Sequence, residues 1–296
     1  MDIDTTALAA PATSKLSAYV ELTKPRVNLL VVLTAAAGFY MASGGRIDLL
    51  LLLNTLLGTA LVAGGSAALN QYLERDLDAR MVRTWGRPLP SGRLTPAQAF
   101  VFGAGLVAVG SIHLMLLVNG LTSLLGIGTA FLYLSIYTPL KTRTSYCTAI
   151  GSIPGALPPL MGWAGAAGTL DFRALGLFLI LLLWQFPHFL AISWAYRRDY
   201  QEGGFSMLSG TDPDGRRTAI RIIVYTLILF GTSLLPVTSG LTGNVYLAGA
   251  LALGVGLLFL GIRAAWVRSN SAARKLSLGT IVYLPVLLIL MVLDKI

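Results

Sequence analysis

The chain alternates long apolar runs with short charged connections. A helix needs about 20 apolar residues to cross roughly 30 Å of hydrocarbon. Runs of that kind are read at 27–42, 49–69, 96–118, 121–137, 148–167, 175–195, 220–238, 246–266 and 276–293. The first is short and is expected to continue back into residues 23–26. The pattern predicts an all-α polytopic membrane protein with nine transmembrane helices. Two connections are long, 70–95 and 196–219, and each opens with acidic residues at the end of a span and then carries several arginines. This suggests two pseudo-repeated four-helix halves around a central cavity, about 18–143 and 144–275, with a ninth helix at 276–293. Residues 1–17 read as a flexible tail, and 18–296 as a single intramembrane domain.

Charge placement tests the count. With the N-terminus on the cytoplasmic side, 19 of the 22 lysines and arginines fall on that side, and only Arg46, Arg173 and Lys295 fall outside. One helix more or fewer would scramble this alternation. The composition agrees, with 55% hydrophobic and 12% charged residues, against roughly 25% charged in a soluble domain. The net charge of +9 does not indicate nucleic acid, because the charges lie in short loops and form no basic face on a soluble domain. Cys147 is the sole cysteine, which excludes an intrachain disulfide and a thiolate metal cluster. The start has no basic stretch followed by an apolar core, so no cleavable signal peptide is expected. It also lacks an Arg-rich presequence, which favours a bacterial inner membrane over an organellar one.

The sharpest chemistry lies in Asn70, Glu74 and Asp78, four residues apart at the end of the second run. On a helix each step of four advances about 40°, so the three form one oxygen-rich stripe. Asp76 falls on another side and is expected to meet an arginine or water. Arg75, Arg80, Arg83, Arg87 and Arg93 follow in the same segment. Carboxylates beside guanidinium groups suit a divalent metal carrying a phosphate. The bias of inner loops toward basic residues explains the sign of these arginines, but not their interleaving with acids. Lys141 and Arg143, at the end of the fourth span, could complete a phosphate cradle.

The second acidic stretch holds Asp199 and Glu202, three apart and so neighbours on a helix that Gly203-Gly204 would end. Counted back along that helix, the same face carries Ala195, Ile192 and His188, which places His188 about three turns deeper in the same cavity. Trp184 and Gln185 flank it. A substrate-facing role is expected for His188, whereas His113 reads as a hydrogen-bonded core residue.

With these pieces placed, the chain resembles the membrane-embedded prenyltransferases of the UbiA superfamily. Asn70/Glu74/Asp78 running into Met81-Val82-Arg83-Thr84 and Arg87-Pro88-Leu89 carries the superfamily resemblance. Trp184–Phe189, and Asp199-Tyr200 with Gly203–Leu208, look like its haem-using branch. The resemblance implies a helical bundle with two acidic motifs that bind Mg2+ and a prenyl diphosphate. It implies transfer of the farnesyl group of farnesyl diphosphate to a vinyl group of haem b, with addition of water, giving haem O. Asn70, Glu74 and Asp78 would be metal ligands, with Asp199 ending the second motif. Arg83, Arg87, Lys141 and Arg143 would contact the diphosphate, and His188 the haem side. Many relatives carry an aspartate where this chain has Ala195, so either Glu202 compensates or only one metal is tightly held. Haem b is then substrate rather than resident cofactor. The lipid bilayer and a haem-handling enzyme of the same pathway would be partners, and nucleic acid would not. Two other readings remain: a sibling prenyltransferase acting on an aromatic quinone precursor, and a cation-coupled transporter. A transporter would place its binding groups nearer the bilayer midplane.

Overall fold

A computed structural model describes residues 14–296. Of the tail expected over 1–17, residues 1–13 lie outside the described residues, and the rest is not a tail. Ser14 accepts a hydrogen bond from the Ser17 N–H and caps a short helix, α1 (Lys15–Leu22). Its Ala18 and Leu22 are fully buried, whereas Leu16 and Val20 are exposed.

The helices that follow are α2 (Pro25–Ala42), α3 (Leu49–Asp78), α4 (Pro96–Leu117), α5 (Gly120–Leu140), α6 (Cys147–Ala156), α7 (Pro158–Ala167), α8 (Phe172–Ala195), α9 (Arg197–Glu202), α10 (Arg216–Thr238), α11 (Asn244–Val267) and α12 (Asn270–Leu293). Eight of these are individually long and apolar enough to cross a bilayer, so the protein is a multi-pass membrane protein. The fifth expected span is divided into α6 and α7. Pro158 and Pro159 follow Leu157, whose backbone is still helical (φ −75°, ψ −27°), and their missing N–H groups break the hydrogen-bond ladder without turning the chain back.

Apolar faces point outward along the spans. Leu49, Leu50, Leu53 and Leu57 of α3, and Val109, Ile112, Met115 and Leu116 of α4, are all exposed. Such faces are stable against lipid, where the drive for association passes to close packing by small residues. Gly65 of α3 and Gly103 of α4 face each other's carbonyls, and a Cβ at Gly65 would stand 2.6 Å from the Gly103 oxygen. Gly162 of α7 lies against the Ala35 carbonyl of α2 with no room for a Cβ. Gly162→Ala is therefore expected to push α2 and α7 apart and destabilise the fold by about 1–3 kcal/mol, read as a lower thermal unfolding midpoint in detergent. The last helix closes the bundle. α12 packs on α8 and α11 and also touches α2, and Lys295, just beyond it, donates to the Tyr40 and Ser43 carbonyls at the end of α2.

Candidate active site

Glu74 is the centre of the site. It lies on the last turns of α3 beside Asn70 and Asp78, and all three are buried. The spacing of four puts them on the stripe that faces α5 and the loop after α3. Asp76 points away, 77% exposed beside Arg75.

Each of the three acceptors is held by a cation from a different element. The Lys24 Nζ donates to Asn70 Oδ1 at 3.1 Å. The Lys141 Nζ donates to Glu74 Oε1 at 2.7 Å, with only 11% and 7% of the two side chains exposed. Arg87 donates to Asp78 Oδ2 at 2.6 Å. Lys24 is the residue before α2 and sits in the left-handed region at φ 49° without being glycine. Strain of that kind is retained where surrounding structure fixes a functional position. Burial, with Arg87 and Lys141 nearby, brings its ammonium pKa down to about 7. Lys141 behaves oppositely: burial is the largest single influence and opposes its charge, but the Glu74 carboxylate, its hydrogen bond and the neighbouring Tyr133 and Tyr200 together raise its pKa.

Local structure explains the positions. Thr84 Oγ1 donates to the Asp78 carbonyl and closes the end of α3. The following loop is anchored by Leu89 and Leu94, buried with Ala18, Leu22, Ala68 and Ala99. Within α5, Leu132–Tyr137 widens into a π turn, a feature that often marks functional helices. The Thr138 hydroxyl donates to the Tyr133 carbonyl five residues back, and receives a hydrogen bond from Asn70 Nδ2. The widened turn aims Tyr133, Tyr137 and Lys141 at one cavity.

The second stretch meets the first here, but not as the sequence suggested. The helix breaks at Tyr196 (φ −117°, ψ 27°) between α8 and α9, so the face running from His188 to Asp199 is not continuous. Tyr200, rather than Asp199 or Glu202, lines the cavity, with its hydroxyl 3.5 Å from Arg83. Asp199 is half-buried beside it, and Glu202 is exposed. Gly203 packs on Met81, where a Cβ would come within 2.8 Å of its sulfur. Gly204 (φ 77°) then turns the chain back, so that Phe205 and Met207 also enter the lining. Ser206 binds the Lys141 and Thr142 carbonyls through its N–H and hydroxyl, which fixes the end of α5.

The cavity has a volume of about 150 Å³ and is bounded by Lys24, Asn70, Glu74, Asp78, Arg83 and Arg87 from one side and Tyr133, Tyr137, Lys141 and Tyr200 from the other. It is the size of a diphosphate with its counter-ion, well below the 300–1,000 Å³ of a pocket for a larger ligand. Arg83 stacks over the rings of Tyr196 and Tyr200 at 5.7 and 5.5 Å. Arg143 is exposed and outside the lining. The roles of Lys24, the two α5 tyrosines and Tyr200 were missed from sequence; the signals available were Lys24 before Pro25 and the four-residue spacing of Tyr133, Tyr137 and Lys141.

Neither histidine lines this cavity. His188 Nδ1 lies 2.8 Å from Thr280 Oγ1, and its ring stacks on Trp184, whose Nε1 donates to the Thr280 carbonyl. The Thr280 hydroxyl gives its proton to the Ser277 carbonyl at 2.6 Å, so it accepts from His188, which fixes the Nδ1–H tautomer. His188 thus joins α8 to α12 outside the cavity. Thr280→Val is expected to cost about 1 kcal/mol of stability, seen in thermal unfolding. His113 lies between α3 and α4 with Nε2 buried and, among the described residues, unpartnered, which corrects the expectation of a hydrogen-bonded ring.

The profile of the UbiA prenyltransferase family matches residues 31–284. A protoheme IX farnesyltransferase of Solibacter usitatus (strain Ellin6076) is 46% identical over 286 residues, covering 94% of this chain and 98% of its own. One of Koribacter versatilis (strain Ellin345) is 40% identical, covering 95% and 94%. Among solved structures, a digeranylgeranylglyceryl phosphate synthase superposes with a TM-score of 0.78 at 19% identity, covering 95% of this chain and 99% of that one. A UbiA homolog from Archaeoglobus fulgidus bound to GPP and Mg2+ superposes at 0.67 with 14% identity, covering 94% and 99%.

Proposed function

The chain belongs to the UbiA prenyltransferase family, and from that premise we propose that it transfers the farnesyl group of farnesyl diphosphate to a vinyl group of haem b. The observation that carries the reading is the cavity in which three oxygen ligands of α3 face three cations from α2, α5 and the loop after α3. The acceptor follows from the relatives named protoheme IX farnesyltransferases.

Asn70, Glu74 and Asp78 offer only hard oxygen donors, a set that fits Mg2+. They would hold the metal, which when bound neutralises charge developing on the departing diphosphate. Lys24, Arg83, Arg87 and Lys141 line the same cavity and would take the diphosphate oxygens, with the bidentate reach of arginine suited to that task. The binding step is then an exchange: each cation leaves a side-chain oxygen for a phosphate oxygen. Asp199 precedes Tyr200 in the chain but is not part of the lining, so a second metal contact from it would need the short helix α9 to shift.

The allylic C–O bond breaks, and its electron pair leaves with diphosphate. The vinyl π electrons form a C–C bond to the farnesyl carbon. Water adds to the resulting cation beside the porphyrin and loses a proton, leaving a hydroxyethylfarnesyl chain. Tyr133, Tyr137, Tyr200 and Phe205 line the cavity with aromatic rings, an environment that tolerates a transient cation. The placement of basic residues supports an orientation with the N-terminus and both acidic connections on the cytoplasmic side.

The test supplies purified protein with radiolabelled farnesyl diphosphate, Mg2+ and either haem b or a hydroxybenzoate. Label in a hydroxyethylfarnesyl haem is expected. Label only in the hydroxybenzoate would overturn the acceptor, and label in neither would overturn the reaction.

A further inference from the structure

A second cavity, about 470 Å³ in volume, adjoins the first on the outer side of Lys24 and Arg87. Those two cations line both cavities. The rest of the outer wall is Ser17, Val20 and Glu21 of α1, Pro25, Arg26 and Val27 at the start of α2, and Gln71 of α3. We propose that this outer cavity is a second oxyanion site, a vestibule that holds diphosphate on its way out of the inner cavity. The proposal rests on the diphosphate-releasing reaction argued above.

Three features carry it. The first is charge. Lys24, Arg26 and Arg87 face a single carboxylate, Glu21, and that carboxylate is engaged by Arg93 at 2.7 Å. The vestibule is therefore net cationic. The second is the shared wall. Lys24 reaches inward to Asn70 and Arg87 reaches inward to Asp78, yet both also border the outer space. An anion passing between the cavities stays in contact with the same two cations and is never left unpaired in a site of low dielectric, where that would be costly. The third is the backbone of Lys24, whose left-handed conformation at the junction of α1 and α2 places a long cationic side chain between the two cavities.

Phosphate chemistry in this place has two sources, product diphosphate and the headgroup of an anionic lipid, because exposed Val20 and Val27 border the vestibule. The experiment separates them. The full chain is placed in nanodiscs of phosphatidylcholine alone, or with added phosphatidylglycerol, and titrated calorimetrically with inorganic diphosphate and Mg2+. Two classes of site are expected in phosphatidylcholine. Arg26→Gln should weaken the outer class about tenfold, as loss of one charged hydrogen bond would do, and leave the inner class unchanged. Val20→Trp, which fills the vestibule, should remove the outer class and serves if Arg26→Gln does not fold. An outer class that persists when phosphatidylglycerol is added supports diphosphate as the occupant. Its disappearance there supports the oxyanion site but assigns it to lipid. A single class in both membranes, unchanged by either variant, overturns the vestibule and leaves the prenyl-transfer reading intact. No binding of either class would instead count against that reading.

Discussion

Glu74→Gln is expected to lower single-turnover farnesyl transfer on the order of 10³-fold, the scale seen when one preorganised electrostatic group is removed from a site. Glutamine keeps the shape of the side chain, and its amide oxygen still accepts from Lys141, so the contact between α3 and α5 survives. What is lost is the negative charge that would hold Mg2+. Glu74 is the choice among the three proposed ligands because its partner is a flexible ammonium that can reorient. Asp78 is clamped by the half-buried guanidinium of Arg87, whose rigid fork adapts less readily than an ammonium. Rapid-quench measurement of farnesyl transfer, with a thermal melt as a control for folding, checks the expectation. Transfer within tenfold of the unmodified protein would remove Glu74 from the metal site.

The second large effect concerns Lys141→Met, where two affinities should move in opposite directions. Lys141 donates to the Glu74 oxygen that would hold magnesium. Removing it frees Glu74, so Mg2+ alone should bind about tenfold more tightly. Prenyl diphosphate should bind about 10- to 100-fold more weakly, because a cation that would receive it has gone. In the unmodified protein Mg2+ and diphosphate should each tighten the other, as linkage requires, by a coupling of about 1–3 kcal/mol. The Lys141→Met variant should shrink that coupling. Calorimetric titration of Mg2+ with and without inorganic diphosphate measures it, and equal coupling in both proteins would show that the ion pairs do not exchange. The variant is also expected to be less stable, since breaking a buried pair costs about 3–5 kcal/mol.

Both expectations depend on residues of which the sequence showed only part. The ladder of apolar runs and the alternation of basic loops were legible because membrane insertion reads composition over windows of some twenty residues. The Asn70/Glu74/Asp78 stripe was legible because it lies within one uninterrupted helix, where the period of 3.6 fixes which side chains share a face. The same reasoning failed for Asp199, because a single non-helical residue, Tyr196, rotates everything after it, and for His188, because its ring is taken up by Thr280 of α12. Tyr133, Tyr137 and Lys141 do share a spacing of four, but no spacing within α5 shows that its π turn meets the α3 stripe.

The sequence by itself determined the class of molecule, its ladder of spans and the oxygen-rich stripe of α3, all of which depend on local period and on composition. Only the tertiary structure decided which cation meets which oxygen. Lys24, Arg87 and Lys141 are separated by tens of residues and converge because α2 and α5 both pack against α3. No spacing along the chain encodes a distance across a bundle. That distance is set by how closely helices pack, and here the packing turns isolated charges into a site.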